Sequence, residues 1–143
     1  MAAVLRDTAL YGRLYTSRYI ADARDAAQRP LLVPFELIGL SPSTLADTYN
    51  LCVLKAFVSV RGLFAITNGL GSSVTIAIGD SGSAARYLAA TSFATTGLNV
   101  TTLAVGAYDY RPTADTIVVA TGAGAAVTVG TFLRGHFTVQ PPA

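Results

Sequence analysis

The sequence predicts a mainly β protein, an antiparallel β-sandwich or jelly-roll-like domain with an N-terminal extension that contains a short helix. Three observations lead to this prediction. Apolar and polar residues alternate over Cys52–Ile66, they alternate again over Val127–Val139, and turn-forming residues separate the short apolar runs. Alternation with a period of two indicates strands that place one face on a core and the other face on water or a partner.

The charged residues divide the chain into two regions. Twelve of the eighteen lie in residues 1–61. We therefore predict an N-terminal arm with a short helix over residues 1–50 and the β-sandwich domain over residues 51–143.

Local signals define two elements in the N-terminal region. A helix is predicted over Arg18–Gln28, because a Thr-Ser pair can cap its start and Pro30 stops it. A strand is predicted over Leu31–Leu37, and Pro34 restricts it to the edge of a sheet because proline cannot donate to a neighbouring strand.

In the second region the alternation separates core-facing positions from turns. The predicted core positions are Cys52, Leu54, Ala56, Val58, Val60, Phe64, Ile66, Val74, Ile76, Ile78, Val127, Val129, Leu133, Phe137 and Val139. Asn68-Gly69 predicts a hairpin turn, and Gly130 and Gly135 predict a bend or bulge in the last strand. Further turns are predicted at Asp80-Ser81-Gly82, Thr96-Gly97, Arg111-Pro112 and Gly122-Ala123-Gly124.

Charge is scarce on this chain. Charged residues make up 13% of the sequence, against about 25% in an ordinary soluble domain. A folded chain of this mass exposes roughly 7,000 Å² of surface, which is too much for so few charges to cover. We therefore expect a homo-oligomer or an obligate assembly subunit. The net charge of +2 is too small to predict nucleic-acid binding, and no long apolar span predicts a membrane segment.

One four-residue motif resembles a catalytic site. Gly79-Asp80-Ser81-Gly82 resembles the nucleophile loops of chymotrypsin-like proteases and of Gly-Asp-Ser lipases. The proteases place a His before the Ser, whereas His136 is the only His and lies after it. The lipases place an Asp three residues before their His, and this chain has Leu133 there. We therefore predict that Ser81 is a turn residue and that the protein is not an enzyme.

We predict neither a metal site nor a cofactor site. A single His and a single Cys cannot supply a ligand cluster, and Asp80, Asp109 and Asp115 do not have the spacing of a calcium loop. Cys52, the only Cys, lies in an apolar run and is predicted to be a small buried residue.

The candidate partner-binding residues lie near the N-terminus. Tyr and Arg dominate protein interfaces, and here they alternate as Tyr11, Arg13, Tyr15, Arg18 and Tyr19. We predict that residues 1–30 form a docking arm and that these five side chains make its main contacts. The alternative, that the rings pack back onto the chain's own β domain, fits the same pattern.

The C-terminal half resembles capsid decoration (cement) proteins and related virion components of tailed bacteriophages. The residues that carry the resemblance are Ser73-Val74-Thr75-Ile76-Ala77-Ile78-Gly79-Asp80, Arg86-Tyr87-Leu88, Thr95-Thr96-Gly97-Leu98 and Tyr108–Val119 with its Ala114-Asp115-Thr116-Ile117-Val118 segment. The resemblance implies a jelly-roll-like protein of the outer capsid surface, made in the host cytoplasm. Its partners would be the major capsid protein and further copies of itself.

Two alternatives remain open on the sequence. One is a tail or head-tail connector component. The other is a carbohydrate-binding β-sandwich module, which the seven Tyr favour and the absence of Trp disfavours.

Overall fold

The computed structural model describes residues 5–7, 30–39, 47–97, 103–104 and 106–141. These residues form eight strands: β1 (Leu5–Asp7), β2 (Leu31–Ile38), β3 (Thr48–Leu54), β4 (Ser59–Thr67), β5 (Thr75–Asp80), β6 (Ser83–Ser92), β7 (Thr116–Ala123) and β8 (Phe132–Gln140). The predicted helix over Arg18–Gln28 lies outside the described residues.

The strands form two sheets. One has five strands in the order β1-β3-β7-β5-β6, and the other has three in the order β2-β8-β4. Neighbouring strands are antiparallel except for β1, which pairs with β3 in parallel. The predicted fold class, a mainly β sandwich, is confirmed.

Side chains from both sheets share one core. The ring of Phe137 on β8 lies 5.6 Å from that of Phe35 on β2 and 5.3 Å from that of Tyr87 on β6, so aromatic contacts join the two sheets. Cys52 is fully buried, as predicted, and burial raises the pKa of its thiol.

Most of the core positions predicted for the later strands are buried. They are Val74, Ile76, Ile78, Val127, Leu133, Phe137 and Val139. Val129 is 53% exposed, so its prediction is wrong, because it lies in a turn before β8 begins.

The segment Cys52–Ile66 differs most from its prediction. It contains two strands in different sheets, since β3 ends at Leu54 and β4 begins at Ser59 after a turn. Within β4 the register shifts between Val60 and Gly62, which is a β-bulge at Arg61. A bulge adds one residue and exchanges the two faces of the strand.

After the bulge, the side chains that face the core are therefore Leu63 and Ala65, both buried. Phe64 and Ile66 lie on the opposite face, with Ile66 36% exposed and Phe64 half-buried. The prediction of Phe64 and Ile66 as core residues is wrong for this reason. Ala56 is also only half-buried, because it lies in the turn between the two strands.

Two glycine-based predictions also need correction. Asn68-Gly69 does form a tight connection, with Gly69 at a φ of 92°, but it links β4 to β5 in the other sheet and closes no hairpin. Gly135 pairs in regular register with Phe35 and Ala65, without a bulge. A side chain at position 135 would collide with the carbonyl of Phe64, so close backbone approach explains the glycine.

The sandwich includes residues from before position 51. Strand β2 pairs with β8 along its whole length and contributes the buried Phe35 and Leu37 to the core. It lies at an edge of its sheet, with Pro34 in its middle, as predicted. Part of the region predicted as an N-terminal extension therefore belongs to the sandwich.

Candidate interaction surfaces

The five predicted docking residues, Tyr11, Arg13, Tyr15, Arg18 and Tyr19, lie outside the described residues. The strands on either side of residues 8–29 are described. β1 lies at an edge of the five-stranded sheet and β2 at an edge of the three-stranded sheet. Residues 8–29 therefore connect two edge strands, and both ends of this segment are held by the sandwich.

The Gly-Asp-Ser-Gly sequence forms the turn between β5 and β6. Asp80 pairs with Ser83, so the loop contains only Ser81 and Gly82. Oδ1 of Asp80 accepts hydrogen bonds from the backbone N–H groups of Gly82 at 2.9 Å and Ser83 at 3.1 Å. This is the geometry by which an Asp closes a tight turn.

The other carboxylate oxygen of Asp80 is bound by side chains from β6. Oδ2 accepts a hydrogen bond from Nε of Arg86 at 2.7 Å and from the hydroxyl of Tyr87 at 3.0 Å. The guanidinium of Arg86 also lies 4.3 Å from the ring centre of Tyr110. Asp80 thus links the turn to the buried ring of Tyr87.

These contacts shift the pKa values of the group. Burial alone would raise the pKa of Asp80, but hydrogen bonds from Arg86, Tyr87 and the two backbone N–H groups together lower it. Burial and the nearby carboxylate raise the pKa of Tyr87. Asp80 is therefore held ionised and fully hydrogen-bonded, which suits a structural contact.

Ser81 is an exposed turn residue, as predicted. His136 lies on β8 of the other sheet and stacks on the ring of Phe64, with ring centres 5.4 Å apart. Among the described residues, no group of three His, Cys, Asp or Glu side chains is placed to hold a metal ion. In the same part of the chain no helix is long and apolar enough to span a membrane.

From residue 30 onward, each Lys or Arg forms an ion pair with a carboxylate of the same part of the chain. Lys55 pairs with Asp115 at 2.7 Å, Arg86 with Asp80 at 2.7 Å, Arg134 with Glu36 at 2.6 Å, and Arg61 and Arg111 share Asp109 at 3.4 and 3.6 Å. A hydrogen bond from Ser59, together with these two guanidinium groups, lowers the pKa of Asp109. The cations from residue 30 onward are thus matched by carboxylates of the same part of the chain.

The net charge of the chain has a single origin. Residues 30–143 carry five basic and five acidic side chains and are neutral overall. Residues 1–29 carry the other five basic and three acidic side chains, which accounts for the whole net charge of +2.

The three-stranded sheet presents a largely apolar surface, with one ion pair within it, on the side away from the core, here called the outer face. Its register aligns rows of outward side chains across β2, β8 and β4. One row is Pro34, His136 and Phe64, and the next is Glu36, Arg134 and Ile66. Sequence reasoning missed this surface, because the bulge at Arg61 reverses the faces of β4.

A second exposed patch lies at the turn before β4. The backbone of Val60 exchanges hydrogen bonds with Asp109 and Tyr110 at 2.7 and 3.0 Å, which holds the 106–112 segment against the start of the strand. Phe57, 56% exposed, and Tyr108, 63% exposed, lie at this end of the sandwich. The guanidinium of Arg61 lies 5.3 Å from the ring centre of Tyr108, so a side chain of the same sandwich partly covers this patch.

Comparison with known proteins gives a fold match without a family match. No protein-family model and no curated protein sequence matches the chain. A chain in "Capsid of Ralstonia phage GP4" matches at a TM-score of 0.74 with 16% identity, over 97% of this chain and 99% of that chain. A chain in "Cyanophage Pam1 capsid asymmetric unit" matches at 0.66 with 23% identity, over 87% and 94%.

A third match is a chain in "Acidic stable capsid structure of Helicobacter pylori bacteriophage KHP30". Its TM-score is 0.59 with 16% identity, over 79% of this chain and 89% of that chain. This chain therefore has the fold of proteins found in three bacteriophage capsids. The resemblance to phage virion components is confirmed at the level of fold.

Proposed function

We propose that the chain is a non-enzymatic structural protein of a bacteriophage virion, a decoration (cement) protein that binds the outer surface of the capsid and stabilises it. The observation that carries the proposal is the match to chains of three phage capsids along nearly their whole lengths. Those capsid chains consist of this fold with little added. A small sandwich that occurs as a separate capsid chain suits an accessory role on a shell built by other subunits.

Attachment is assigned to residues 8–29, with Tyr11, Arg13, Tyr15, Arg18 and Tyr19 as its main contacts. Two observations support this assignment. The whole excess of positive charge lies in residues 1–29, whereas the cations from residue 30 onward are already paired. Tyr supplies large contact area for few rotatable bonds. The partner surface on the major capsid protein is therefore acidic, and attachment weakens as salt screens the charges.

The pairing of β1 refines the predicted docking arm. Because β1 and β2 hold both ends of the segment, it is anchored at two points and is not a free terminus. A segment anchored at both ends loses less conformational entropy on binding than a free arm of equal length, for which the cost is about 1–2 kcal/mol per ordered residue. Deleting residues 1–30 would also remove β1, so point substitutions give a cleaner test.

The location is tested on particles. Phage particles from cells that carry the gene are purified, and labelled antibodies against the chain are located by electron microscopy. We expect label over the capsid. Label on the tail, or a chain that sediments apart from particles, would overturn the proposal.

The contact residues are tested by adding purified protein back to particles stripped of it. The triple variant Tyr11→Ala/Tyr15→Ala/Tyr19→Ala should bind at least about 100-fold more weakly, since losing one hot-spot Tyr at about 2 kcal/mol already costs about 30-fold and the losses from several hot spots do not simply add. Tyr108→Ala is the matched control, because Tyr108 is exposed but belongs to the sandwich. Equal binding by the triple variant and the control would show that these tyrosines in residues 8–29 do not form the interface with the capsid.

A further inference from the structure

We propose that the outer face of the three-stranded sheet is a self-association surface, on which a second copy of this chain packs through the same face. This goes beyond the proposed function, because it assigns a contact between copies and leaves attachment to the shell to another part of the chain.

The first support is the apolar character of the outer face. Leu32 is 62% exposed and Ile66 36% exposed, and Pro34 is exposed between them across the sheet. Phe64 and Phe132 add two half-buried rings. A monomeric domain normally places polar side chains on the outward face of an antiparallel sheet, so this face is suited to a partner.

The second support concerns charge and indicates which partner. Glu36 and Arg134 lie opposite each other on the outer face and pair at 2.6 Å, and Arg61, the other charged residue of the three strands, pairs with Asp109 at 3.4 Å. The guanidinium of Arg134 also lies 4.2 Å from the ring centre of Phe132, so the Arg134 side chain lies along the surface of the sheet. The face therefore has no net charge to attract a charged partner.

A second copy presents the same neutral, largely apolar surface. An interface of two identical patches related by a two-fold axis requires a surface that complements itself, and a face whose ions are paired internally meets its own copy without like-charge repulsion. The low charge content of the whole chain favours the same occupant.

The size of the outer face sets the strength of the contact. Three strands about 4.8 Å apart and roughly eight residues long, at about 3.4 Å per residue, give roughly 400 Å². This is about half of the 800 Å² that each partner buries in a standard interface. Two copies therefore associate weakly in solution, and neighbouring attachment to one particle raises their effective concentration.

The test compares two isoleucines. Ile66→Arg places a charge on the outer face, and Ile117→Arg places the same charge on β7 of the other sheet, where Ile117 is 43% exposed. Sedimentation velocity is measured over about 10 µM to 1 mM, the range in which weak contacts become populated. The native protein and Ile117→Arg should show a rising sedimentation coefficient, and Ile66→Arg should need at least about tenfold more protein for the same rise.

Each other outcome overturns the proposal. A native protein that stays monomeric to about 1 mM, or variants that associate equally, removes the self-association surface. If Ile66→Arg weakens only particle binding, the outer face contacts the shell. If it only lowers the melting temperature, residues of the same chain cover the face. Because particle attachment is measured separately, a result that refutes self-association through the outer face does not affect the proposed function.

Discussion

Replacing Asp80 with Ala should be among the most destabilising single changes in the β5–β6 hairpin. The substitution removes four acceptor contacts at once, two to backbone N–H groups of the turn and two to side chains of β6. The free-energy cost of losing each contact depends on whether water can reach the donor that has lost its acceptor.

The donors differ in their access to water. Gly82 and Ser83 lie at the exposed hairpin tip, and the side chain of Arg86 is 26% exposed, so water can replace much of what these groups lose. The Tyr87 residue is fully buried, so its hydroxyl loses its acceptor without replacement. An orphaned buried donor costs about 1–3 kcal/mol, and each lost bond to a charged group costs about 1.5–3 kcal/mol.

We therefore expect Asp80→Ala to lower the free energy of unfolding by about 3–5 kcal/mol, which is a large fraction of the 5–15 kcal/mol typical of a domain. For a chain of this size that corresponds to a fall of roughly 10 °C in melting temperature. Thermal and urea unfolding, followed by circular dichroism, measure it.

Ser81→Ala is the matched control, because Ser81 is the exposed neighbour in the same turn. It should stay within about 0.5 kcal/mol of the native protein. If Asp80→Ala and Ser81→Ala unfold at the same temperature, the Asp80 network does not stabilise the fold and the reasoning fails.

Two further predictions concern pH and backbone approach. The folded state lowers the pKa of Asp80, so the stability from its ionised form is fully present above the unfolded value of about 3.9 and is lost as pH falls through the lower folded value. Urea unfolding should therefore give the native protein a higher free energy of unfolding than Asp80→Asn near neutral pH, and this difference should narrow in acid. A difference that stays constant with pH would contradict the prediction. Gly135→Ala should cost about 3 kcal/mol or more, because its side chain meets the Phe64 carbonyl. The control Gly97→Ala, at a φ of 80° with open space around it, should lower the free energy of unfolding by about 1 kcal/mol. Equal losses of stability in the two variants would show that the close approach of the Phe64 carbonyl to Gly135 is unimportant.

The sequence predicts those parts of the fold whose signals are local. Pro34 correctly placed its strand at an edge, and Asp80-Ser81-Gly82 correctly gave a turn, because both depend on the chemistry of a few adjacent residues. Strand pairing depends on distant segments. Nothing near Asn68-Gly69 indicates that the chain crosses to the other sheet there, and nothing near Leu5–Asp7 indicates a parallel partner in β3.

The outer face could not be found from alternation alone. Counting by twos through β4 assigns Phe64 and Ile66 to the core, and the bulge at Arg61 reverses that assignment. Gly62 gave a usable signal, since a glycine at an apparent core position indicates a bulge or a close backbone approach. The residues predicted for docking, Tyr11 through Tyr19, lie beyond the described strands, so their role remains a prediction.

Pro34 has a consequence for how copies of such a chain can meet. Both edges of the three-stranded sheet are blocked to another strand, one by Pro34 and the other where Val60 is bonded to residues 109 and 110 and Thr67 to Gly97. An open edge on a poorly charged chain would allow strand to add to strand without limit, the route to fibres. At the three-stranded sheet, association is instead directed to the side-chain face, where it stops once that face is covered.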